Sequence, residues 1–293
     1  MLEKFLDYIR IEKRYSVHTI TSYQKDLEDF ASFVLETEAT ADLRGVNKKV
    51  IRNFIVQLSE NKLSKRSINR KLSSLRGFYV YLLRIGEITV SPMESISSLK
   101  FYAEKQQAFS QDEMTMLQEK TENKSAMSLL EKLIIETLYQ TGMRKAELCN
   151  LLFENVDFSK SEFKIIGKGN KQRVVPISER LHRDLQNYAE VRRPDEENKT
   201  YFFVNKKGKK LGERFVYSVV NKYLSLVTTK EKRSPHILRH SFATHVLNNG
   251  AEISKVKKIL GHSSLASTQV YTEANIEELK KVFNKAHPRA LKK

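Results

Sequence analysis

The sequence is poor in residues that cross-link or interrupt a chain. A single cysteine, Cys149, stands among 293 residues, which excludes an intrachain disulfide and a cysteine-based zinc cluster. Set in AELCNLL, it reads as a small buried hydrophobe. Five prolines and ten glycines are too few for collagen-like, Gly-rich or long disordered tracts. No stretch approaches the roughly 18 consecutive apolar residues of a spanning helix. The opening MLEKFLDYIRIEKRY lacks the basic segment and apolar run of a secretory leader. A soluble, cytoplasmic protein is expected, with no membrane partner. Acid is the scarcer charge: 35 Asp+Glu face 52 Lys+Arg, a formal net charge of +17. That surplus points to a polyanion, either nucleic acid or an anionic membrane surface.

Hydrophobic residues make up 40% of the chain, enough for real cores, and the length suggests about two domains. The first hundred residues read as helices. Leu2, Phe5, Leu6 and Ile9 form one apolar face; Tyr23, Leu27, Phe30, Phe33 and Val34 form a second; Val50, Phe54, Ile55 and Leu58 form a third. Between Arg44 and Arg76 stand ten Lys/Arg and one acid, Glu60. There Lys65, Arg66, Arg70, Lys71 and Arg76 alternate with Ile68, Leu72, Leu75 and Phe78, the pattern of a helix with an apolar stripe and a basic face. Such a face is either merely solvated or laid along a phosphate backbone; DNA contact by Lys65, Arg66, Arg70 and Lys71 is the favoured reading.

Gly86 and Pro92 punctuate the chain, and the polar, aperiodic residues 99–109 read as a linker between domains at 1–98 and 110–293. Ser110 and Glu113 have capping-box spacing and open the second domain. A stripe of Leu129, Leu130, Leu133, Ile134 and Leu138 follows, broken at Thr141-Gly142 and resumed over Met143–Leu148. Phe163, Ile165 and then Val174, Val175, Ile177 flank Gly167–Lys171 as a hairpin, after which helices are expected to the end. The fold class is mainly α in two domains, with one small antiparallel sheet.

Four local constellations carry polar chemistry. Arg144, beside the Gly142 break, can offer its guanidinium fork to a phosphate or pair with Glu147 three residues on. Lys168 sits in GKGNKQR at the hairpin tip, where the default is a solvated turn; the spacing is not that of a P-loop. In SPHILRHSF, Ser234 suits an N-cap and Pro235 the first helical position. His236 and Arg239 then share a helical face near a helix N-terminus that favours anions. His240 competes for that role, and His245, in an apolar run, reads as a packed histidine. In LGHSS, Gly261 suits a helix C-terminus, so His262 opens a loop that precedes Tyr271; composition alone does not select Tyr271 among 12 tyrosines. HExxH and G-x-S-x-G are absent, so a zinc site and a Ser-His-Asp triad lack support, and no metal or cofactor is expected.

Taken in order, Arg144, Lys168, His236-x-x-Arg239, His262 and Tyr271 resemble the tyrosine recombinase (phage integrase) family. GKGNKQRVVPI, HILRHSFATHVLNNGAEISKVKKILGHSSLASTQVYT and HPRA are similar to its bacterial Xer branch, and the similarity spans almost the whole chain. The resemblance implies a helical, SAM-like core-binding domain and a mostly helical catalytic domain that clamp double-stranded DNA. It implies strand exchange by two transesterifications without metal or ATP. Tyr271 would attack the scissile phosphate, Arg144 and Arg239 would hold its non-bridging oxygens, and Lys168 would protonate the leaving 5′-oxygen. His236 would accept the tyrosine proton, His262 would donate to the phosphate, and Glu147 would orient the arginines. The resemblance further implies a nucleoid-associated homo- or hetero-tetramer on two DNA sites, with a second Xer-like recombinase and a septal DNA translocase as candidate partners. The stripe Ile276, Leu279, Val282 and Phe283 near the C-terminus would then dock into a neighbouring subunit, against the plainer reading that it packs on its own domain. Met143, Lys145-Ala146 and Glu273 depart from the family pattern and bear on the subfamily. Chromosome dimer resolution leads; a mobile-element integrase, a type IB topoisomerase-like enzyme and a catalytically degenerate DNA-binding protein are the alternatives.

Overall fold

A computed structural model describes residues 1–101, 107–122, 128–167, 172–261 and 273–290. The chain divides into two compact units, Met1–Glu104 and Lys105–Lys293. Among the described residues, no helix is long and apolar enough to cross a membrane.

Among the described residues the first unit holds four α-helices: α1 (Leu2–Ile11), α2 (Val17–Glu38), α3 (Lys48–Glu60) and α4 (Lys65–Arg84). Ser16, Asn47 and Ser64 accept backbone N–H bonds at the starts of α2, α3 and α4, which satisfies donors a helix start leaves open. The apolar stripes meet in one core around Phe5, Leu27, Phe30, Phe54, Leu72 and Phe78, each full burial contributing about 1.5–3 kcal/mol. The Asn69 side chain donates to Leu99 O at 2.9 Å and accepts from Leu99 N at 2.8 Å, tying the segment after α4 back onto it.

The basic face of α4 divides in two. Lys65 and Arg66 are exposed, as expected. Lys71 is not on that face: it is 5% exposed, and its ammonium donates to Asp26 Oδ1 at 3.2 Å and to Asp29 Oδ2 at 2.5 Å. Asp26, fully buried, also accepts from Arg70 Nη1 at 2.5 Å and Ser74 Oγ at 2.8 Å. The expectation that Lys71 contacts DNA is therefore corrected. Its charge is neutralised inside the unit and locks α4 to α2, and Arg70 is drawn into the same cluster. A buried cation without such partners would be strongly destabilising.

The second unit is built round α6 (Leu129–Thr141), whose last nine residues are all buried. A helix buried on every side is a core helix. It packs against α8 (Glu179–Val191), α9 (Glu213–Leu224) and α10 (Pro235–Asn248). The unit opens with α5 (Gln111–Glu122), which has the expected capping box: Ser110 N donates to Glu113, and Glu113 N to Ser110 Oγ. Phe109 falls in the linker expected from sequence, but it is buried, with its N–H bonded to Ser241 Oγ and its carbonyl to His245 Nε2. After α7 (Lys145–Cys149), strands β1 (Val156–Asp157), β2 (Glu162–Ile166) and β3 (Gln172–Pro176) form an antiparallel sheet in that order, with Phe163 opposite Val175 and Ile165 opposite Arg173. Between α8 and α9 the expected helix is reduced to a 3-10 turn, Glu196–Asn198. Bridges pair Leu152 with Tyr201 and Val204 with Lys210, because the buried run Phe202–Val204 is followed by a turn at Asn205 and Gly208.

α11 (Ile253–Leu260) and α12 (Glu273–Ala286) complete the unit. Leu279 and Phe283 are buried, and α12 packs on β3, α10 and α11. Of the stripe expected to seek a neighbouring subunit, then, Leu279 and Phe283 pack within their own unit. The HPRA segment fastens this arrangement. Arg289 bonds both oxygens of Glu136 and donates to Met114 O at 2.8 Å, while His287 accepts from Arg289 N at 3.0 Å.

Candidate active site

The site begins where α6 ends. Gly142 caps it with φ +58°, and a Cβ there would lie 2.6 Å from Phe242 Cδ1 and 2.7 Å from Leu260 Cδ2. Only glycine permits both the backbone conformation and the close approach of α10 and α11. Two residues later Arg144 takes the N-cap position of α7 in extended conformation. Its side chain remains 46% exposed while Nη1 donates to Glu147 Oε1 at 2.8 Å.

Glu147 is the hub. Its Oε2 accepts Arg144 N at 2.8 Å and Arg173 Nη2 at 2.6 Å, and its Oε1 also accepts Arg173 Nη1 at 3.0 Å. Burial alone would push this carboxyl up. Its hydrogen bonds and ion pair with Arg173, and its bonds to Arg144, outweigh that and hold it below its ordinary value. The i,i+3 pair that sequence offered as the plain alternative for Arg144 does form, but it is one arm of a larger cluster.

Arg239 enters from α10, buried, with Nη1 donating to Gly142 O and Nη2 to Leu260 O at 2.7 Å. It caps the ends of two helices, where the carbonyls are left open and the dipole favours a cation. Desolvation, then the charges of Arg144 and Arg173, push Arg239 down to about 10, against a smaller opposing effect of Glu147. His236, one turn earlier and exposed at its surface, is held below the ordinary imidazole value by partial desolvation and then by Arg239, His240 and Arg144. Ser234 and Pro235 take the N-cap and first helical positions as expected, though no side-chain cap bond forms at Ser234. His245 is the packed histidine expected: Tyr139 Oη lies 2.8 Å from Nδ1. Cys149 is likewise buried.

Arg144, Glu147, His236 and Arg239 are thus brought together. Lys168, His262 and Tyr271 lie outside the described residues. Sequence reasoning missed the role of Arg173. It stands not at the hairpin tip but within β3, 3% exposed, with Nε donating to Ile259 O at 2.7 Å. The signal was an arginine opening the otherwise apolar run RVVPI. Among the described residues, no group of three or more His, Cys, Asp or Glu is placed to hold a metal ion. What the cluster offers chemically is two guanidiniums on one carboxylate, with the Arg239 guanidinium on the neighbouring carbonyls, a concentration of positive charge suited to an oxyanion.

The phage integrase family model matches residues 107–278, and the phage integrase N-terminal SAM-like domain model matches residues 2–86. The tyrosine recombinase XerC of Staphylococcus aureus (strain MSSA476) is 36% identical over 291 residues, spanning 99% of this chain and 97% of its own. The Tn1549 transposon integrase in complex with circular intermediate DNA aligns at TM-score 0.72 and 18% identity, over 94% of this chain and 98% of the other. XerH site-specific recombinase bound to palindromic difH substrate aligns at 0.71 and 21%, over 90% and 78%. For these two structures the likeness is one of fold. With both units matched and the sequence kinship running nearly end to end, the chain belongs to the phage integrase family and is a Xer-like tyrosine site-specific recombinase.

Proposed function

We propose that this recombinase acts on double-stranded DNA through a 3′-phosphotyrosyl intermediate, with the scissile phosphate seated on Arg144 and Arg239. The observation that carries the reading is the charge imbalance of the cluster: one carboxylate, Glu147, is shared by the two guanidiniums of Arg144 and Arg173. A phosphodiester supplies the missing negative charge. Arg144 is well placed for this, since half its side chain reaches solvent while its backbone is fixed.

The Tyr271 oxygen attacks phosphorus, the bond to the 5′-oxygen breaks, and that oxygen takes a proton from Lys168 to leave as a 5′-hydroxyl. His236 accepts the phenolic proton. Its lowered pKa keeps it neutral at pH 7, as a base must be. His262 donates to a non-bridging oxygen. A second transesterification, by the 5′-hydroxyl of a partner strand, releases the enzyme and conserves the bond energy; the four-way junction between the two rounds of exchange needs a tetramer on two sites. Lys65 and Arg66, exposed in the first turn of α4, hold the phosphate backbone from the first unit. The biological use is resolution of chromosome dimers by Xer-type recombination at the nucleoid, with a second recombinase and a septal translocase as partners.

The test is a suicide DNA carrying the cognate site with a nick near the point of cleavage. An SDS-stable protein–DNA adduct is expected, lost in Tyr271→Phe with duplex binding retained. An adduct that survives Tyr271→Phe sinks the assignment.

A further inference from the structure

Arg173 is absorbed by none of the roles above, yet its single guanidinium spans three segments of the site. It lies on β3, the strand that begins just after residues 168–171 in the sequence. Nη1 and Nη2 grip both oxygens of Glu147, at 3.0 and 2.6 Å, and Nε caps Ile259 O at the end of α11. The next carbonyl, Leu260 O, is capped by Arg239. Gly261 then closes against Arg173 itself: a Cβ there would lie 3.1 Å from Arg173 Cδ, at φ +65°. Each Glu147 oxygen that Arg173 holds is also an oxygen that Arg144 bonds.

We propose that Arg173 is a positioning residue for strand cleavage: through Glu147 it fixes the Arg144 fork relative to Arg239 and to the end of α11. The inference rests on the reading of Arg144 as a phosphate ligand. At 3% exposure, with three donor directions spent on protein acceptors, Arg173 does not itself reach the DNA. Lysine is no substitute, because an ammonium does not present a planar fork to a carboxylate and a third donor to a carbonyl at the same time. A displacement of about 1 Å in a group that binds the reacting phosphate is enough for roughly a hundredfold loss of rate.

The experiment compares Arg173→Lys with wild type, each alone and in an Arg144→Lys background, using the full chain and the nicked suicide substrate. Three quantities are read: the single-turnover cleavage rate at saturating DNA, the dissociation constant for the same duplex, and the melting temperature. Cleavage by Arg173→Lys is expected to fall about a hundredfold, with duplex affinity within about threefold of wild type. In the Arg144→Lys background the same change is expected to reduce the residual cleavage less than about threefold, because the group being positioned has already been altered. An equal loss in both backgrounds, or a rate near wild type in Arg173→Lys, overturns the proposal. Wild-type cleavage by Arg144→Lys and by Arg144→Ala would overturn the phosphate reading and this inference with it, whereas loss in those variants with none in Arg173→Lys sinks the inference alone. Should Arg173→Lys fail to fold, Glu147→Gln carries the same comparison, since it keeps the shape and removes the charge that Arg173 grips.

Discussion

Both units set cations round a buried carboxylate, Asp26 in the first and Glu147 in the second, and the two clusters differ in their balance of charge. In the first unit Arg70 and Lys71 meet Asp26 and Asp29, two cations on two carboxylates. In the second, Arg144 and Arg173 share one carboxylate, Glu147. The balanced cluster is complete and joins α2 to α4. The unbalanced one sets two guanidiniums on one carboxylate, with the Arg144 side chain still half exposed. A cation locked to acids of its own unit is structural; a half-exposed one on a shared carboxylate is open to a further anion.

The comparison breaks first at the unbalanced site. Arg144→Ala is expected to lower suicide-substrate cleavage by about a thousandfold, while urea unfolding shifts by less than about 0.5 kcal/mol, because the side chain is half exposed. A comparable loss of stability would make the cluster structural like its counterpart. The balanced site should respond the other way. Asp26→Asn leaves Lys71 and Arg70 short of a carboxylate and is expected to destabilise the first unit by about 3 kcal/mol, read by urea denaturation, with cleavage at saturating DNA unchanged.

Protonation sharpens the contrast. His287 is fully buried, and desolvation before all else pushes its pKa down to about 3. A histidine depressed in the folded state contributes its full stability above the unfolded pKa of about 6.5 and loses it as pH falls below that. The urea midpoint should therefore drop between pH 6.5 and 5.5 by the equivalent of about 1 kcal/mol, and His287→Asn should flatten that limb. The smallest effect is on the exposed face of α4. Lys65→Ala with Arg66→Ala is expected to weaken duplex binding about fivefold in a mobility-shift assay, without moving the melting temperature.

Much of this was legible in the chain. The apolar stripes of α2, α4 and α6, the hairpin and the His236/Arg239 spacing follow from periodicity and turn chemistry, and the order of motifs pointed to the family. What was misread had a different cause in each case. Lys71 lies three residues after Ile68 and four before Leu75, so the helical period already put it on the buried face; counting it as basic surface ignored that geometry. Its partners Asp26 and Asp29 are more than forty residues away, and such pairings are not visible locally. Arg173 was obscure for the same reason, since Glu147 and Ile259 come from distant segments. The packing of α12 on its own unit was undecidable because an apolar stripe does not name the surface it meets.

The locked pairs of the first unit also bear on how the molecule senses ionic strength. Lys71 is already held against fixed acidic partners inside the fold, as Arg289 is in the second unit. When duplex arrives, they displace no condensed counterions from it. The steepness with which salt weakens binding should therefore track the exposed cations alone and fall well short of what a formal charge of +17 suggests.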